Sequence, residues 1–190
     1  MIESIISNNC TGGAVAHFLK MQFKSPIINC KIMAEDYPKL CKNLKEYMGI
    51  PMQEYTELSQ EHKVSCMRFW GCIPDFPKGI IGDVMVVFQH YKTYEEGAAA
   101  WERRKGRIDY DNIGFIFHVN QPQYAKEVYE FMDLRLPNSL VITEGFSMPG
   151  SIFLDVKPDE FAFTIKNGHY LFLDAFDFKK WRENDTHNQT

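Results

Sequence analysis

The run GIIGDVMVVFQHY, residues 79–91, is apolar along nearly its whole length. A strand with one face in water alternates apolar and polar residues. A continuous run reads instead as a strand buried on both faces, as the central strands of α/β sheets are. Directly after it, TYEEGAAAWERRKGRI (93–108) is alanine-rich, and Thr93 stands three residues before Glu96, a capping-box spacing that predicts a helix. NIGFIFHV (112–119) then predicts a strand, and QPQYAKEVYEFMDL (121–134) a helix with proline near its start. Strands that alternate with helices call for crossover connections, which place parallel strands in a sheet with helices over it. The expected fold class is therefore α/β, with a mostly parallel sheet flanked by helices.

The remaining segments fit that frame. Residues 2–7 predict a strand and the run from Ala14 a helix, with the polar loop of IISNNCTGG (5–13) between them. IINCKIM (27–33) predicts a second strand. AEDYPKLCKNLKEYMG (34–49) predicts one helix, with apolar residues at helical spacing and Gly49 placed to end it. Pro51, Pro74 and Pro77 interrupt the next stretch, where residues 64–69 read as a candidate strand. Beyond residue 135, several short apolar runs separated by turn residues predict further strands. We expect a single α/β domain over 1–190, whose strand-rich part at about 135–180 could form a second small lobe.

Composition excludes several function classes. A 190-residue chain with 45% hydrophobic and 24% charged residues is an ordinary globular mixture. The net charge of −4 argues against a nucleic-acid partner, whose phosphates demand clustered Lys and Arg. Five cysteines without a CxxC pair suggest neither a disulfide framework nor a zinc knuckle, and point to a reduced, cytoplasmic setting. Neither a signal peptide nor a membrane-length apolar window is expected. The late aspartates Asp155, Asp159, Asp174 and Asp177 lack metal-ligand spacing, so no metal site is expected, and no motif assigns a cofactor.

Two segments carry candidate chemistry. In an open α/β sheet, ligands collect where strand C-terminal ends meet helix N-termini, and the loop of residues 7–13 falls at such a junction. Ser7, Asn8, Asn9 and Thr11 offer hydroxyl and amide groups, and Gly12 and Gly13 allow close backbone approach. The same loop can equally be a tight turn, since it contains neither GxGxxG nor a P-loop. Cys10, at a helix start, is a candidate nucleophile if its pKa is lowered. His17, His90 and His118 are candidate bases for it, with ordinary packing of the thiol as the alternative. In the second segment, Arg103, Arg104 and Arg107 could present guanidinium forks to a phosphate or carboxylate, with Asn112 beside them, or could form a solvated charged face. We expect the two segments to converge on one site.

WERRKGRIDYDNI (101–113), with ISNNC (6–10) and QHYKTYEEGAAAW (89–101), resembles a family of uncharacterised bacterial proteins labelled as exopolysaccharide or capsule biosynthesis proteins. The likeness runs from Ser7 to about residue 175. It implies a setting among glycosyltransferases and polymer-building enzymes, and carries no established reaction, cofactor or catalytic residue. Two readings follow. One is an enzyme acting on an anionic sugar, nucleotide sugar or glycan intermediate, of the metal-independent transferase type, with His90 or His118 as general base. The other is a non-catalytic binding or assembly protein that meets a protein partner in a cell-envelope polysaccharide system.

Overall fold

The computed structural model describes residues 1–157 and 159–183. The chain starts with strand β1 (Ser4–Ser7), helix α1 (Thr11–Phe18) and strand β2 (Lys31–Ile32). Helices α2 (Tyr37–Lys42) and α3 (Leu44–Gly49) follow, then β3 (Gln53–Glu54), α4 (Gln60–Trp70), β4 (Lys78–Ile81) and β5 (Val84–Val87). The second half holds α5 (Tyr94–Lys105), β6 (Ile113–Val119), α6 (Ala125–Asp133), β7 (Ser139–Glu144), β8 (Ile152–Leu154), β9 (Ile165–Lys166), β10 (His169–Tyr170) and α7 (Phe178–Arg182). None of the helices among the described residues is long and apolar enough to cross a membrane.

A four-stranded parallel sheet, in the order β1-β6-β7-β8, forms the centre and establishes the α/β class. Strand periodicity divides its side chains between two faces. On one face Ile6, Phe115, Phe117 and Val141 pack with Tyr37 and Leu40 of α2 and with Val128 and Phe131 of α6. On the other, Ile5, Ile116, Ile142 and Leu154 meet Val15 and Ala16 of α1, together with Phe172, Phe178 and Trp181 from the end of the chain. Half of the expected capping box forms at Thr93, with Glu96 N donating to Thr93 Oγ1 at 3.3 Å, while the Glu96 carboxylate accepts from Lys92 N, one residue before the cap.

The apolar run at 79–91 is not one strand of the parallel sheet. It folds back on itself as the β4–β5 hairpin, turning at Gly82 with φ +61, and joins an antiparallel sheet of order β2-β5-β4-β3. Both faces of β5 are buried, Val84 and Val86 in the main core and Met85 and Val87 in a smaller cluster with Met33 and Cys66. Burial on both sides removed the alternation that would have marked a hairpin. The expected strand at 64–69 lies within helix α4, capped by Ser59 Oγ, which accepts from His62 N, and ended by Gly71 at φ +71. The expected helix over 34–49 breaks at Asn43 into α2 and α3.

One buried polar network ties α4 to the second sheet. Asp36 accepts from Met85 N at 3.0 Å and lies 3.1 Å from His62 Nε2, while the Tyr55 hydroxyl lies 2.8 Å from His62 Nδ1. Burial alone would lower the His62 pKa, but its hydrogen bonds to Asp36 and Tyr55 and the Asp36 charge raise it to about 9.

Candidate functional site

At the C-terminal edge of the parallel sheet, a cavity of about 810 Å³ opens between the β1–α1 loop, β2, the C-terminal ends of β6 and β7, and the segment carrying Phe161, Phe163 and Tyr170. Its most constrained member is His118. Alternation along β6 puts His118 on the α1 face of the sheet, and the β6–β7 register, His118 beside Ile142, brings Glu144 onto the same face two residues farther along. The His118 side chain is only 3% exposed; its Nδ1 lies 2.7 Å from Thr11 Oγ1 and its Nε2 3.3 Å from Glu144 Oε2. The second approach falls outside hydrogen-bond geometry, so Nε2 is a buried polar atom without a partner. With Nδ1 protonated and donating to Thr11 Oγ1, Nε2 keeps a free lone pair, and the Glu144 carboxylate lies close enough to stabilise the ring once both nitrogens carry protons. Glu144 is fixed in turn by Ala162 N, which donates to its Oε1 at 3.0 Å. A positioned imidazole between a hydroxyl and a carboxylate can take or give a proton.

The loop that sets this array is held by its own polar groups. Asn8 is buried and uses its side-chain amide as a strand would use its backbone: Nδ2 donates to His118 O at 3.0 Å, and Oδ1 accepts from His118 N at 2.9 Å. Ser7 Oγ accepts from Gly12 N at 2.9 Å, and Asn9 Oδ1 accepts from Thr11 N at 3.0 Å. A Cβ on Gly12 would stand 2.6 Å from Ser7 Oγ, so glycine is required there by close approach. Ser7, Asn8 and Gly12 therefore shape the loop, while Asn9, Cys10 and Gly13 face the cavity.

Lys31 is the residue that sequence reasoning missed. It occupies a position of β2 paired with Val87, on the face where Met33, Met85 and Val87 form an apolar cluster, and it is 5% exposed. Its Nζ lies 3.7 Å from the centre of the Phe69 ring. Desolvation lowers its pKa to about 8, against weaker opposing effects of Cys10 and Glu35. The signal was present in the sequence as a lysine inside the apolar run 27–33. Glu144 was also passed over; it ends β7 at the same sheet edge as the loop.

The expected convergence holds for Arg104 alone of the basic segment. Arg104 lines the cavity, where its Nη1 donates to the Tyr91 hydroxyl at 2.6 Å and to Ile28 O at 3.3 Å. Arg103 and Arg107 are exposed and line no part of the cavity: Arg103 is turned about 100° from Arg104 around α5, and Arg107 lies beyond the end of α5 at Lys105. Asn112 lies at the other end of the sheet: its backbone O accepts from Ser4 N, and its side chain donates to Asp109. Asp109 and Asp111, an aspartate pair with one residue between, share that remote end. His90 and His17 line the cavity from exposed positions. Cys10 lines it too, but burial pushes its thiol pKa up rather than down, against the opposing effects of the Lys31 charge and the Asn29 backbone. The lowered pKa expected of a nucleophile at that helix start is absent. Among the described residues, no three His, Cys, Asp or Glu side chains are grouped to hold a metal ion.

Comparison with known proteins gives two matches. A protein of Haemophilus influenzae, described as an uncharacterized protein, is 24% identical over 186 residues, covering 94% of this chain and 82% of the relative. Neither that description nor the matching family's carries the exopolysaccharide label implied by the resemblance. The family match spans residues 2–151, which includes β1, α1, β2, β6 and β7 and with them Thr11, Lys31, Arg104, His118 and Glu144. The chain belongs to the family described as a domain of unknown function, DUF1919.

Proposed function

We propose that this cavity binds an anionic sugar, one carrying a phosphate, a diphosphate or a carboxylate, and that His118 with Glu144 moves a proton on it. The observation that carries the reading is the pairing, in one cavity, of a positioned imidazole whose buried Nε2 lacks a partner with two cationic side chains, Lys31 and Arg104. Buried polar atoms are normally satisfied, so an orphaned ring nitrogen on a residue that lines a cavity is matched to something that enters. Guanidinium and ammonium groups supply donors and charge for phosphate or carboxylate oxygens. Asn9, Asn29, Gln89 and Asn120 offer amides for sugar hydroxyls, and Phe161, 57% exposed at the cavity wall, offers an apolar plane for a ring face. His118 would accept a proton from a ligand hydroxyl, with Glu144 stabilising the imidazolium that forms. The resemblance to polysaccharide-biosynthesis proteins makes intermediates of cell-envelope polymers the natural ligand set.

A second reading, binding without catalysis, draws on the 3% exposure of the His118 side chain, which leaves little of the ring open to a ligand. Thermal unfolding with sugar phosphates, uronic acids, nucleotide sugars and neutral sugars tests the site. A ligand at 100 times its Kd stabilises by about 2.7 kcal/mol. Anionic sugars are expected to raise the melting temperature and neutral ones not; no response to any anionic sugar overturns the reading. Retained stabilisation in His118→Gln, with the ligand recovered chemically unchanged from the native protein, would favour binding alone.

A further inference from the structure

We propose that Lys31 captures a carbonyl carbon, forming an imine with the open-chain aldehyde or ketone of a reducing sugar that carries an anionic group. This rests on the anionic-sugar reading of the cavity and narrows its ligand to a sugar whose ring can open. Lys31 differs from the other enclosed cations of the chain. Lys39 is paired with Asp36 and Asp83, Lys78 donates to two backbone carbonyls, and Arg68 is paired with Glu35 and Glu127. Lys31 sits in a strand position whose neighbours Met33, Met85 and Val87 are apolar, and its amine lies over the face of the Phe69 ring. A lysine placed at a core position, acted on only weakly by Glu35 and in no ion pair among the described residues, is a local violation of apolar patterning, which folded proteins keep where function requires it. Its place in the cavity wall gives the amine the access a reaction needs. Enclosure among apolar groups favours the neutral, nucleophilic form, as for other imine-forming lysines.

The chemistry balances within the cavity. The Nζ lone pair attacks the carbonyl carbon, forming the C–N bond, and a proton passes from nitrogen to the oxygen to give a carbinolamine. The C–O bond then breaks as water leaves, with a proton delivered to the departing hydroxyl and another lost from nitrogen. Amine and carbonyl give imine and water, with no oxidant or reductant. A general acid is needed for the dehydration, and His118 is held in rigid relation to Lys31: Ile32 N donates to Asn8 O at 2.8 Å, and the Asn8 side chain is doubly hydrogen-bonded to the His118 backbone.

The protein is incubated with glucose 6-phosphate or glucose 1-phosphate in the presence of cyanoborohydride, and adducts are mapped by peptide mass spectrometry. The 1-phosphate carries the same groups but cannot open to an aldehyde. The 6-phosphate is expected to label Lys31 at least about tenfold faster than the exposed Lys126, the 1-phosphate not at all, and Lys31→Arg and Lys31→Met to lose that excess while melting cooperatively. Stabilisation by both sugar phosphates without preferential labelling overturns the imine and leaves the anion site standing. Failure of both to stabilise, with labelling spread evenly over exposed lysines, overturns the imine and the sugar-phosphate site together.

Discussion

Replacing Lys31 with methionine removes the amine but keeps an unbranched side chain beside Phe69, Met33 and Met85. Methionine adapts readily to irregular apolar surroundings, so the cavity left is small. The gain comes from relieving the buried charge. A fall in pKa from the ordinary 10.5 to about 8 corresponds to about 3 kcal/mol at pH 7. Loss of the contact with the Phe69 ring takes back about 1 kcal/mol. The variant should therefore be more stable than the native protein by about 2 kcal/mol, a rise in Tm of roughly 4 to 8 °C for a chain of this size. The sign with pH is fixed. Lys31 is depressed in the folded state, so its penalty is full below about pH 8 and disappears as pH rises toward 10.5. Urea unfolding of both proteins at pH 7 and near pH 10.5 should show the difference shrinking to nearly nothing. If Lys31→Met is instead destabilised at pH 7 by more than about 1 kcal/mol, the amine has a partner in the folded protein and the reasoning fails.

Arg104→Ala should weaken binding of an anionic sugar by about 1.5 to 3 kcal/mol, whereas Arg107→Ala, outside the cavity, should leave titration calorimetry unchanged. Gly97→Ala places a Cβ 2.5 Å from ring atoms of Phe88, and the overpacking should lower stability by about 1 to 3 kcal/mol in denaturant unfolding. Thr11→Val removes the hydroxyl beside His118 Nδ1 and should cost about 1 to 3 kcal/mol, with a changed imidazole signal in nitrogen-15 NMR. Because the His62 pKa is raised to about 9, its contribution is fully present below its ordinary 6.5 and is lost as pH rises through 9. Measured in Lys31→Met to remove the opposite slope, stability should fall by about 3 kcal/mol over that window, and Asp36→Asn should flatten most of the dependence.

The parallel sheet was legible because its parts obey local rules: a strand, a small-residue loop and a helix start at 4–18, and a capped helix before β6. The antiparallel sheet was not, since its best strand signal is buried on both faces and the Gly82 turn inside it interrupts an otherwise apolar run. Helix α4 mixes polar and aromatic residues without a clear stripe, yet Ser59 and Gly71 marked its ends in the sequence. At the candidate site, loop chemistry pointed to Asn9, Cys10 and Gly13 because strand-to-helix junctions are read locally. Lys31 and Glu144 reach the same cavity through sheet pairing across long stretches of chain, which no local window records. The arginine cluster misled because spacing does not say which helix position faces inward, which separates Arg104 from Arg103, and because the helix stops at Lys105, short of Arg107.

The double hydrogen bond between Asn8 and His118 joins residues 110 positions apart. Among the described residues β1 pairs with β6 alone, so after its synthesis it waits for its sheet partner until β6 emerges, a delay of roughly ten seconds at common synthesis rates. Meanwhile residues 31–87 can close their own sheet from nearer contacts, which form at lower loop-closure cost. The cavity, which needs both ends of that interval, is therefore completed late in the life of the nascent chain. Until then β1 lacks its strand partner, and a chain released before residue 119 would leave the unpaired edge of this apolar strand to pair with whatever edge it meets.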